Sequence, residues 1–181
     1  LQVARPAEET AELHRRASQW YARSGMIDEA IRHALAAADF PAAVALIEAH
    51  AADLLARWQV KTVEGWLQAI PPEWITENAR LNLTFAWMHM IHWEFSRARP
   101  YFQRLQAQFE HSPAARADPA AMAAWLALQA ILLTAQGNPA EGIRLAERAL
   151  EIVPDESASV RSEIYLALTS AYQQLDDYPS A

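Results

Sequence analysis

The chain has 181 residues, no cysteine, 15 Lys or Arg against 22 Asp or Glu, and a formal charge of −7 with histidine neutral. The lack of cysteine excludes disulfides, thiolate zinc sites and cysteine nucleophiles together and fits a reducing compartment, so a cytoplasmic protein is expected. The acidic balance excludes a nucleic-acid grip by this segment itself, because its densest basic clusters are only Arg15-Arg16 and Arg97 with Arg99.

The opening Leu1-Gln2-Val3-Ala4-Arg5-Pro6 is neither a signal peptide nor an initiator methionine, so a fragment of a longer chain is expected. No apolar stretch approaches the roughly 18–20 residues that span a membrane. With only four glycines and abundant Ala, Leu, Glu and Arg, helix is favoured nearly everywhere, and no alternating β-branched run argues for a strand. In chain order the pattern predicts helices over 8–24, 27–38, 41–57, 60–70, 78–92, 95–110, 119–136, 139–152 and 157–175. The first carries Leu13, Ala17 and Tyr21 on one face, and the last carries Tyr165, Leu168 and Tyr172. Breaks coincide with Pro41, Pro71-Pro72, Pro113, Pro119, Pro139 and Pro154. Pro100 falls inside the helix that begins near Phe95 and should shift its start or kink it.

Gly137 is followed by small residues five, nine and twelve positions on, at Gly142, Ala146 and Ala149, and then by Pro154. Gly25 is followed likewise by Ala30, Ala34 and Ala37. The turn residue needs φ > 0, and the small residues let two helices approach closely. This pattern resembles the tetratricopeptide repeat, a helix–turn–helix unit of about 34 residues. Looser copies place Trp58 before Val63, Leu67 and Ile70, and Trp93 before Ala98, Phe102 and Leu105. A fifth copy opens at Asp176-Asp177-Tyr178 and reaches Ala181. Turns at 25, 58, 93, 137 and 176 are spaced by 33, 35, 44 and 39 residues, an irregular array whose long third interval holds the loop 111–119. The expected fold is all-α, a TPR-like α-solenoid of about nine antiparallel helices, read as one domain over 1–181 with its last repeat truncated.

Within it, Leu13 to Tyr21, Gly25, Asp28 to Phe40, Ala43, Leu46-Ile47-Glu48, Leu54-Leu55, Val63, Trp66-Leu67, Ile70 and Pro71 form a denser pattern. Over 13–75 this resembles the helical segment of the large ATP-dependent LuxR-type transcriptional activators, the MalT-like family; 78–181 resembles sensor-type TPR-like helices in general. The family usually has Gly at the turn where this chain has Trp58. The resemblance implies an upstream ATP-binding module and a downstream LuxR-type helix-turn-helix. Neither lies here, for there is no G-x-x-x-x-G-K-[S/T] loop and no basic tail. ATP is therefore expected only in an absent module, and DNA contact only through an absent C-terminal domain.

His89 and His92 share one helical face, but a metal site wants a third ligand and only Glu94 is near. His89 is read as packing between helices, with a ligand contact at His92 the less favoured reading. Trp20, Trp66 and Trp125 are read as core or inter-repeat packing. The repeat register puts Arg80, Trp87, Met90, Thr134, Ser170 and Gln173 on the concave wall, where an aromatic platform beside polar groups would suit a flat-faced ligand; for Trp87 itself, filling space in the superhelix is the favoured reading. Leu83, Ile91, Ile131, Glu163 and Gln174 share that wall. Carboxylate pairs such as Glu8-Glu9 and Asp155-Glu156 suit helix starts, and the run Glu141, Arg144, Glu147, Arg148 and Glu151 reads as a solvated face. No catalytic constellation or resident metal is expected. The reading is a non-catalytic ligand-sensing or partner-binding segment that receives a small-molecule inducer or a protein, in a parent that self-associates to bind DNA. A general TPR-like protein-interaction scaffold is the alternative, for which a groove rich in Lys, Arg and Asn is expected.

Overall fold

The computed structural model describes residues 7–177, and the side chains of all of these except 56, 176 and 177. The described residues form eleven helices and no strand. They are α1 (Ala7–Arg23), α2 (Ile27–Ala36), α3 (Phe40–Ala56), α4 (Val60–Gln68), α5 (Pro72–Thr76), α6 (Ala79–Ile91), α7 (Phe95–His111), α8 (Pro113–Arg116), α9 (Pro119–Ala135), α10 (Pro139–Ile152) and α11 (Ala158–Asp177). Contacts gather into two units, Leu1–Leu81 and Asn82–Ala181.

The nine expected helices are present, and α5 and α8 are additional. Both short helices start on a proline, which closes the preceding helix yet suits the first turn of the next because its missing N–H has no partner there anyway. α7 starts at Phe95 and continues through Pro100, so the proline does not shift the start; it deprives the Ser96 carbonyl of its usual i+4 donor. α11 continues through Asp177, where a turn was expected from 176, and Tyr178–Ala181 lie outside the described residues.

Four of the expected turn residues have left-handed backbone: Gly25 (φ 74°), Trp58 (φ 60°), Trp93 (φ 58°) and Gly137 (φ 85°). Each turn closes with the same pair of bonds. At Trp58, its own N–H donates to the Leu55 carbonyl (3.0 Å) and that of Gln59 reaches back to Leu54 (2.9 Å). At Gly137, its N–H donates to Thr134 and that of Asn138 to Leu133, both at 2.9 Å. This arrangement satisfies carbonyls that a helix end leaves without donors. It forms at Trp58 and Trp93 although their side chains disfavour the conformation. Ala38 (φ 53°) ends α2 in the same way. Helix starts are fixed by side-chain caps: Asp39 accepts from the Ala42 N–H, Asn78 from Leu81, and Asp118 from Ala121.

In the first unit α1 packs on α2, α2 on α3 and α3 on α4. The residues five, nine and twelve beyond each turn are the buried ones: Ala30, Ala34 and Ala37 on α2 and at its end, and Val63, Leu67 and Ile70 on and beyond α4. Trp66 is buried as expected, whereas Trp20, expected in a packing position, is 54% exposed on α1. Trp20 follows Gln19 on the outer side of α1, while Ser18 is the residue that faces inward.

In the second unit α9 is the hub, packed against α8, α10 and α11. Ala123, Leu126, Ala127 and Ala130 of α9, Ala146 and Ala149 of α10, and Ile164 and Ala167 of α11 share one core with Val153. Alanine-lined faces let helix axes come close, and α9 is apolar nearly all round because it is covered from more than one side. Trp125 is buried between Phe102 (5.5 Å between ring centroids) and Phe109 (6.0 Å, stacked).

Candidate functional site

An open cleft of about 460 Å³ lies in the first unit, lined by Ile27, Asp28, Leu54, Gln59, Lys61, Thr62, Gly65 and Trp66. Three local features produce it. The left-handed turn at Trp58 swings the chain from α3 into α4 and brings Gln59, Lys61 and Thr62 to the rim. Gly65 has no side chain, and a Cβ there would meet nothing within 4 Å, so the wall stays open. Trp66 closes the inner side, its Nε1–H donating to Asp28 Oδ1 at 2.7 Å. Apolar walls from Ile27, Leu54 and the indole thus stand beside an ammonium, a hydroxyl, an amide and a carboxylate. Such a mixture suits a small polar molecule with an apolar body. Lys61 is the one lysine in the sequence, the other 14 basic residues being arginine. Its ammonium is a compact point charge suited to a single carboxylate or phosphate oxygen.

Of the six residues expected to line a groove, three are buried. Arg80 belongs to the first unit and the other five to the second. Trp87 and Met90 are each 7% exposed and Thr134 6%, so these three are interior residues and not an open wall. Thr134 shows the physical reason: its Oγ1 donates to the Ala130 carbonyl (2.9 Å) and faces Gly142 where α10 comes close to α9. Ser170 is half-buried and bonds back to the Leu166 carbonyl at 2.9 Å. Gln173 and Arg80 are exposed. Of the other residues assigned to that wall, Leu83 is buried and Ile91, Ile131, Glu163 and Gln174 are half-buried. Helical register gives the angular face of a residue, not the neighbour that covers it.

His89 is largely buried and its Nδ1 meets Glu94 Oε2 at 2.9 Å, while Arg97 reaches the same carboxylate at 3.2 Å. The His89 hydrogen bond, helped by Arg97 and opposed by partial burial, holds the Glu94 carboxyl below its usual range. Glu94 is therefore tied to a histidine and an arginine across the Trp93 turn. His89 also lies over Tyr101 at 5.7 Å, and Tyr101 stacks on Phe85 at 4.7 Å. Burial pushes the Tyr101 phenol up, against the opposing Arg104 beside it. This is a packed polar network joining α6 to α7. His92 is exposed.

Two features of the first unit carried no sequence signal. Asp28 and Trp66 stand 38 positions apart, and His14 and His33, whose Nδ1 atoms are 2.7 Å apart, stand 19 apart. No periodicity links such pairs.

Over 81 residues, 45% of this chain, the sequence is 41% identical to the serine/threonine-protein kinase PknK of Mycobacterium tuberculosis, both in strain CDC 1551 / Oshkosh and in strain ATCC 25618 / H37Rv. The same identity and coverage hold for PknK of Mycobacterium bovis. The matched stretch is 7% of each of these kinases, so the chain spans a small part of the relatives it matches. No family model matches the chain, and no solved structure does. Among the described residues no helix is long and apolar enough to cross a membrane.

Proposed function

We propose that this chain is a non-catalytic, ligand-sensing helical-repeat segment of a MalT-like, ATP-dependent LuxR-type regulator, its helix pairs stacked as a TPR-like solenoid. The observation that carries the reading is the recurrence of one turn. Left-handed residues at 25, 58, 93 and 137 each precede small or apolar residues five, nine and twelve positions on, of which all but Phe102 are buried. A common device repeated at these intervals is what stacked repeats require, because each unit completes its neighbour's core. The partial likeness to a far longer kinase supports a module embedded among others.

The cleft at Asp28, Lys61 and Trp66 is where an inducer would bind. A ligand that prefers one state of the parent would shift it between a resting form and an oligomeric, DNA-binding form in the cytoplasm. ATP and DNA would be handled by other modules. The gene provides the first test. A phosphate-binding loop is expected upstream and a LuxR-type helix-turn-helix downstream, and finding neither ends the family reading. The cleft is tested by a thermal-shift screen of small carboxylates and phosphates. A hit should vanish in Gly65→Leu, whose Cβ meets nothing within 4 Å and whose side chain adds bulk at the open wall. A hit that persists in Gly65→Leu and in Lys61→Glu would remove the ligand from this cleft.

One observation favours a second reading, a scaffold for another protein. Trp58 and Trp93 are each 77% exposed at the tips of turns, and large exposed aromatics are enriched at protein contacts.

A further inference from the structure

His14, Ser18 and Tyr21 of α1 are spaced by four and three residues, so all three share one face of the helix that packs on α2. Ser18 is the buried member. The other two both converge on His33 in the last turn of α2. His14 and His33 bring their Nδ1 atoms to 2.7 Å, with ring centroids 5.0 Å apart and planes tilted by 36°. Tyr21 stacks on His33 at 5.2 Å with the rings nearly parallel, 10° apart.

Two imidazole nitrogens at this separation hold one proton between them. One must donate an N–H and the other must accept it with a lone pair. Adding a proton to the acceptor leaves two N–H groups facing one another and two positive charges in contact. The two rings come from different helices, so moving α1 away from α2 relieves that repulsion.

We propose that the His14–His33 pair is an acid-sensitive latch, holding α1 on α2 while one of the two rings is neutral and releasing α1 when both are protonated. The groups around His33 fix the direction. Partial burial, then the nearby His14 and Arg32, hold the His33 imidazole below its ordinary value of 6.5, and Glu29 on its own helix opposes them. Tyr21 from α1 faces it uncharged. None of Glu48, His50 and Asp53 on α3, or Lys61 and Glu64 on α4, contributes to the shift. Because the folded value is lowered, the unfolded chain binds more protons between that value and 6.5. The latch is therefore closed above 6.5 and opens as pH falls through the lowered value. This window is the one that histidine switches occupy. The latch does not depend on the ligand reading.

Hydrogen exchange of the full 181-residue chain tests it, with rates corrected for their intrinsic pH dependence. Between pH 7.5 and 5, protection across Ala7–Arg23 should fall by up to about tenfold per pH unit, the most one linked proton supplies, while α9 and α10 keep theirs. Replacing both residues, His14→Asn with His33→Asn, keeps an amide at each Nδ1 position and should abolish the pH dependence in α1. Equal α1 protection at both pH values, or a dependence that survives the double replacement, overturns the latch. Should the double variant lose helix content at pH 7.5, imidazole nitrogen shifts of the wild-type chain decide. Coupled titration of His14 and His33 supports the latch, and two independent titrations at the ordinary value overturn it.

Discussion

Trp66 Nε1 donates to Asp28 Oδ1 at 2.7 Å, tying α4 to the first turn of α2 across 38 positions of sequence. The indole is 5% exposed, so its N–H has no easy alternative in water. Asp28 meanwhile sits where a carboxylate is favoured by the positive end of α2. Asp28→Ala leaves the indole donor unmet and should cost about 1–3 kcal/mol. Asp28→Asn keeps an oxygen acceptor, loses only the charge, and should cost less than about 1 kcal/mol. Urea midpoints of the two variants provide the comparison. Equal losses would mean that the bond contributes through charge alone.

The turns were legible because their chemistry is local. Gly25 and Gly137 announce positive φ, and even Trp58 and Trp93 could be placed, since the apolar positions after them keep the same spacing. Pro71-Pro72 and Pro113 were legible as breaks but not as helix starts, because a proline ends one helix and suits the first turn of another for the same reason. The cover over the groove candidates was illegible for a different reason. Trp87 and Thr134 lie on definite faces of α6 and α9, yet which helix covers each face depends on tertiary packing. The cleft was missed because its open wall is made by what Gly65 lacks, and its charged members look like ordinary surface residues.

Trp58 and Trp93 hold left-handed backbone at φ 60° and 58° while their side chains contribute little to packing. A residue with a Cβ is strained there by roughly 1–2 kcal/mol, and glycine is not. Glycine's greater freedom in the unfolded chain takes back part of that gain. Trp58→Gly and Trp93→Gly should each stabilise by about 0.5–1 kcal/mol, seen as a higher midpoint in thermal unfolding. A loss of stability in either would show that the exposed indole packs on the fold after all. Stabilisation with loss of a protein partner would favour the scaffold reading.

Gly142 marks a tight contact between α9 and α10. A Cβ built there would stand 2.5 Å from Thr134 Oγ1 and 2.8 Å from the Ala130 carbonyl oxygen. Helix propensity alone favours alanine over glycine by about 1 kcal/mol. Forced contact with a backbone oxygen in a close-packed core costs more, typically about 1–3 kcal/mol. Gly142→Ala should therefore be destabilising on balance, by up to about 2 kcal/mol in chemical denaturation. Adding Thr134→Ala removes the nearer clash but not the one with Ala130, so rescue should be partial. Full rescue would assign the whole effect to the threonine.

Glu163 lies half-buried on α11, beside Ile164 of the shared core, and burial pushes its carboxyl from 4.5 up to about 8. A raised folded-state value means that the native chain binds more protons than the unfolded one between 4.5 and about 8. The stabilisation linked to this group is complete below 4.5 and is lost as pH rises through about 8. Glu163→Gln keeps the shape and the hydrogen-bonding atoms but has no proton to lose. The variant should gain about 1–2 kcal/mol over the wild type at the upper end of this range, a figure reduced for the solvent that still reaches the side chain, and little at its lower end. Denaturation midpoints taken at several pH values measure this. The sign is opposite to that expected for His33, whose linked stability fails on the acid side, so the two groups separate in one titration. Parallel curves for wild type and Glu163→Gln would mean that water solvates the carboxylate well enough to leave it ionised in the folded chain.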